Sequence, residues 1–64
     1  MNTAELQPGD LVKVNVRGLE FGAIYQGYVP SLGGHTILPF NKNISYRCVS
    51  SRRIVEKLES GVGA

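Results

Sequence analysis

From Leu11 to Arg17 the chain alternates, with Val12, Val14 and Val16 on one side and Lys13, Asn15 and Arg17 on the other. A two-residue period of this kind predicts a half-buried antiparallel strand over 10–17. The segment before it, Leu6-Gln7-Pro8-Gly9-Asp10, has the chemistry of a turn: Pro fixes φ at the corner and Gly accepts the positive φ of a type II turn. Gly18 interrupts the alternation, so Arg17-Gly18-Leu19-Glu20 is expected to be a connecting loop.

Residues 21–29 are rich in aromatic and β-branched side chains but are interrupted by Gly22 and Gly27. Glycines inside a strand pattern mark bulges or bends, so a long, strongly curved second strand is expected, with the inward parity left open between odd and even positions. Pro30-Ser31-Leu32-Gly33-Gly34 ends it as a turn cluster. His-Thr-Ile-Leu-Pro-Phe over 35–40 predicts a third strand whose Pro39 lies at an edge or bulge. After a turn at Asn41-Lys42-Asn43, residues 44–49 predict a fourth strand, with Ile44, Tyr46 and Cys48 facing one way and Ser45, Arg47 and Val49 the other. Ser50-Ser51-Arg52-Arg53 suits one 3-10 turn opened by a serine cap, and 54–58 a fifth strand. The alternative for this last stretch is a helix over 51–60, since Ile54, Val55 and Leu58 also fit a helical stripe.

Five short strands, a curved second strand and a 3-10 turn before the last one predict an all-β domain over 6–59, with flexible ends at 1–5 and 60–64. At this point the chain resembles the SH3-like small β-barrels, including the KOW, Tudor-like and bacterial small-barrel groups. The matching stretches are Pro8-Gly9-Asp10-Leu11-Val12-Lys13-Val14, which is similar to the usual opening strand, and the segment from Val49 to Leu58, which is similar to the usual 3-10 turn and last strand. The resemblance implies a five-stranded, strongly curved barrel and no particular activity, since the fold hosts many. The chain departs from KOW motifs in lacking their glycine-centred hairpin, and from peptide-binding SH3 domains in having no Trp. A dihydrofolate reductase family that assembles four such barrels carries a Val-Gln-Ile-Tyr run that is absent here.

A chain of 64 residues has room for one thin core, so association with another chain would add useful burial. With one cysteine, Cys48, and one histidine, His35, it has neither an intrachain disulfide nor a set of metal ligands. No apolar run approaches the length of a membrane span and the first residues lack a secretory pattern, so a cytoplasmic protein is expected. Net charge is +2 overall, but it divides into −1 over residues 1–32 and +3 over 33–64.

Catalytic chemistry finds no support in the residue pattern, and no cofactor is expected. Gly33-Gly34 lacks the lysine and helix of a phosphate loop. Cys48 is expected to be a small buried hydrophobe and His35 an ordinary loop residue. The carboxylates Asp10, Glu20, Glu56 and Glu59 are expected at turns and solvent-facing positions, without an acid/base pair. What remains is aromatic plus basic: Lys42, Arg47, Arg52 and Arg53 as one stripe, with Tyr28 and Tyr46 as stacking rings, form a candidate surface for single-stranded nucleic acid or RNA. Core volume is expected from at least two of Tyr25, Tyr28 and Tyr46. The alternative is a protein-interaction or assembly module, homo-oligomeric or an accessory subunit, because Leu11, Leu19, Ile24, Leu32, Ile37 and Val55 exceed what so small a barrel holds.

Overall fold

A computed structural model describes residues 5–61; the expected flexible stretches at 1–5 and 60–64 lie largely outside them. The strands are β1 (Leu11–Val16), β2 (Leu19–Val29), β3 (Gly34–Pro39), β4 (Cys48–Val49) and β5 (Ile54–Glu59), with a 3-10 turn at Ser51–Arg53 between the last two. They form one antiparallel five-stranded sheet in the order β4-β3-β2-β1-β5. The all-β expectation therefore stands, and the helix considered over 51–60 is replaced by turn and strand.

The alternation in β1 does what its period implies: Val12, Val14 and Val16 are buried, and the residues between them are half-exposed. Its link to β2 is tighter than the four-residue loop read from Arg17-Gly18-Leu19-Glu20. Val16 pairs with Leu19, so only Arg17 and Gly18 turn, both at positive φ (54° and 90°). This is the geometry whose twist matches that of the flanking strands. Leu19 and Glu20 already belong to β2.

β2 is long because it serves two partners. Leu19–Ile24 pairs with β1, and the stretch from Ala23 to Val29 pairs with β3. Between the pairs Tyr25–Ile37 and Gly27–Thr36 the register slips by one residue, and Gly27 there has φ of +124°. The open parity is thereby resolved: Phe21, Ala23 and Tyr25 face inward, and Gln26 is the extra residue of the bulge. Together with Leu6, Ile37, Val49 and Ile54 these side chains and the β1 valines form the core, against which Ile44 packs. Ile37, expected among the surplus apolar residues, is inside it.

The expected fourth strand over 44–49 shrinks to Cys48–Val49. The ladder to β3 ends at the Arg47 carbonyl, which accepts the Ile37 N–H at 2.9 Å. Before it the Ile44 N–H donates to the Asn41 carbonyl, and the Arg47 guanidinium takes the carbonyls of Ile44 and Tyr46 at 2.9 and 3.1 Å. The 3-10 turn forms where expected, but no serine side chain caps it; its bond runs from the Arg53 N–H to the Ser50 carbonyl.

β4 and β5 are opposite edges of the sheet, yet only residues 50–53 join them. Five flat strands would set those edges roughly 19 Å apart. A linker holding a 3-10 turn, at about 2 Å rise per residue, spans less than that, so the sheet curls its edges toward one another. β5 carries two register slips against β1, between Lys13 and Val14 and between Leu11 and Val12. Irregular edges of this kind discourage pairing with another strand.

Candidate functional site

The four basic residues singled out by sequence lie where the sheet is least regular. Lys42 sits in the β3–β4 loop, Arg47 just before β4, and Arg52 and Arg53 in the 3-10 turn. Lys42, Arg47 and Arg52 are exposed and Arg53 is half-buried. No Asp or Glu occurs between Glu20 and Glu56, so this whole stretch is free of acidic side chains. The ion pairs among the described residues lie elsewhere, Lys13 with Glu56 at 3.7 Å and Lys57 with Asp10 at 3.5 Å. The four bases have no carboxylate partner there.

The two tyrosines proposed as stacking rings are both accessible, but they are not neighbours. Tyr28 is 56% exposed and Tyr46 40%, which corrects the expectation that two of the three tyrosines pack with only their hydroxyls wet. Tyr25 alone is buried. The core makes up the volume from its aliphatic side chains and Phe21. Tyr46 stacks in parallel on Phe21, with centroids 6.1 Å apart, near the start of β2. Tyr28 lies near the other end of that strand, against His35 at 5.0 Å. The two rings thus lie against different cross-strand rows of β2, Phe21 with Val14 and Tyr28 with His35. The aromatic-basic set has a Tyr46/Arg47 part and a Tyr28 part, and the 3-10 turn bearing Arg52 and Arg53 runs between their rows, from Val49 opposite His35 to Ile54 opposite Val14.

Three further expectations are corrected here. His35 is a buried residue of β3, as the strand expected over 35–40 has it and the loop role does not: the register places it opposite both Tyr28 and Val49, and its Nδ1 is 2.7 Å from the Tyr25 hydroxyl. Cys48 is exposed, because β4 pairs so that Val49 joins His35 on the core side. Its Sγ lies over Gly34, where a Cβ would come within 2.7 Å of it. Asp10 is 1% exposed and does not face solvent. Its two oxygens accept the N–H groups of Gln7 at 2.9 Å and Gly61 at 3.0 Å, and these bonds, aided by Lys57, hold its carboxyl below the usual aspartate range. Of these, only Asp10 left a trace in the sequence, as the last residue of the Pro-Gly-Asp turn.

The face of the sheet away from the core is apolar at its centre. Leu11, Ile24 and Leu38 are direct cross-strand neighbours on β1, β2 and β3. Beside them the Phe40 ring lies over Gly22, where a Cβ would meet it at 2.8 Å, and Leu58 reaches the same spot. Leu38, Phe40 and Leu58 are each about half exposed. Leu19, Leu32 and Val55, expected to be surplus to the core, are exposed as well.

Among the described residues no group of three His, Cys, Asp or Glu side chains could hold a metal, and no helix is long and apolar enough to cross a membrane. No protein-family model matches the chain, and no curated protein or solved structure matches it significantly.

Proposed function

We propose that the protein is an SH3-like small barrel of the KOW and Tudor-like kind that works without catalysis, as a cytosolic module binding single-stranded DNA or RNA. The curled sheet, the strand order and the 3-10 turn between β4 and β5 support the barrel. The single exposed thiol of Cys48 suits a reducing compartment. One observation carries the binding reading: Lys42, Arg47, Arg52 and Arg53 have no carboxylate partner among the described residues, in an acid-free stretch that also presents the open rings of Tyr28 and Tyr46. Phosphates bind such bases by releasing counterions, and a tyrosine face accepts any base. The test is an amide NMR titration with oligo(dT) and oligo(rU) at low and high salt. Shifts confined to Lys42, Arg47, Arg52, Arg53 and the two tyrosines, and abolished by salt, are expected. An unchanged spectrum at low salt overturns the proposal.

A second reading, assembly with a protein partner or a further copy, is favoured by the patch of Leu38, Phe40 and Leu58 around Gly22. Apolar contact survives salt where phosphate contact does not. Light scattering that gives a multimer at high salt, reduced to monomer by Phe40→Ser, would favour it. A monomer at all concentrations would remove self-association.

A further inference from the structure

Tyr28, His35 and Val49 form one row across β2, β3 and β4, and the 3-10 turn bearing Arg52 and Arg53 follows Val49 directly after Ser50. His35 is buried in that row but touches an exposed ring. Its centroid is 5.0 Å from that of Tyr28 and the two planes are inclined by 56°, so the rings are not stacked and a face of Tyr28 stays open. On the other side, Nδ1 of His35 is 2.7 Å from the Tyr25 hydroxyl.

The Tyr25 contact fixes the tautomer. Tyr25 is 3% exposed, and a buried phenolic proton requires an acceptor. Among the described residues the Tyr25 hydroxyl bonds only to Nδ1, so the phenol donates to Nδ1 and the ring N–H resides on Nε2. Nε2 has no protein partner there, and no buried side-chain nitrogen or oxygen lacks one, so Nε2 reaches solvent. A fixed donor thus sits beside an open stacking face, in a row that the chain leaves at Val49 to enter the turn bearing Arg52 and Arg53.

We propose that Tyr28 and His35 form a single-base site, in which a base stacks on the Tyr28 ring while its ring carbonyl accepts the Nε2–H of His35. The site favours thymine, uracil, guanine and cytosine, each of which carries a ring carbonyl, over adenine, which has none. Tyr25 is a positioning residue, acting through the imidazole. The inference rests on the single-strand reading above and adds base preference to it.

The experiment measures affinity for oligo(dT) and oligo(dA) of equal length, with the wild-type chain and with His35→Phe. Wild type is expected to bind oligo(dT) about tenfold more tightly, the value of one well-made hydrogen bond, and His35→Phe to narrow that ratio to about twofold while binding stays salt-dependent. The difference in intrinsic stacking between the two oligomers cancels in this comparison. If wild type binds neither oligomer, the single-strand reading itself fails. Binding by both proteins with the same ratio overturns the His35 site alone. Should His35→Phe not fold, the wild-type imidazole supplies the readout in long-range ¹H–¹⁵N spectra. The Nε2 signal is expected to move with oligo(dT) and not with oligo(dA), and an unmoved signal in the bound complex overturns the site.

Discussion

The Asp10 carboxylate accepts the Gly61 amide at 3.0 Å, joining the turn that precedes β1 to the chain just after β5 across 51 positions of sequence. Its other oxygen accepts the Gln7 amide and lies 3.5 Å from the Lys57 ammonium. Because all of these contacts favour the charged form, the folded-state pKa lies below the ordinary 3.8 of the unfolded chain. For a depressed carboxylate the stabilisation is complete above the unfolded value and is lost as pH falls through the folded one. Urea denaturation at pH 6, 4 and 3 is therefore expected to show stability falling in the acid range. In Asp10→Asn, stability is lower at pH 6 and flatter with pH. A variant with the wild-type acid slope would assign that slope to other carboxylates.

Two backbone positions predict opposite effects. Gly27 has φ of +124° with room for a methyl group, whose nearest neighbour beyond the adjoining residues would be Pro8 Cγ at 3.9 Å. Gly27→Ala is thus a test of conformation alone, expected to cost about 2 kcal/mol. Arg17 is a non-glycine residue at φ of 54° in the β1–β2 turn, where Asn-Gly is the preferred pair. Arg17→Asn is expected to stabilise by roughly 0.5 kcal/mol. Denaturant midpoints at constant m-value decide both.

Ile37 joins the β2–β3 ladder to the core and is 2% exposed. Ile37→Ala leaves a cavity costing about 3 kcal/mol, a large share of the stability of a chain this short. Ile54→Val removes one methylene from a comparable position and is expected to cost about 1 kcal/mol. Thermal melts followed by circular dichroism should rank the two in that order.

What can be read from the sequence depends on how far each signal reaches along the chain. The valines of β1 declare their face by alternation, and Gly27 marks a bulge because no other residue accepts its φ cheaply. Those are local facts. Residues 44–46 look like strand by composition, but the Arg47 guanidinium takes the carbonyls of Ile44 and Tyr46 and the Asn41 carbonyl takes the Ile44 N–H, groups a ladder would need. Cys48 escapes a sequence reading because which of 48 and 49 turns inward is set by pairing with β3, a partner many residues away. The basic stripe is legible as composition. Which row of β2 each tyrosine lies against is not, since that follows from strand pairing.

Salt dependence gives the most direct account of the basic stretch. If Lys42, Arg47, Arg52 and Arg53 each meet a phosphate, four counterions leave a single strand on binding, and log K against log salt falls with a slope of about −3. Replacing Arg52 and Arg53 together by Ala removes half of those contacts, so the slope should relax to about −1.5 while the fold is kept, neither side chain being part of the core. Tyr46→Ala is expected to act differently. It removes a stacking face and one partner of Phe21, so affinity drops about tenfold with the slope unchanged. Fluorescence anisotropy with labelled oligo(dT) over a salt series separates the two kinds of contact, because charge changes the slope and stacking changes the intercept. A slope that stays the same in the arginine double variant would mean that phosphates are held elsewhere, and the surface would have to be redrawn away from the 3-10 turn.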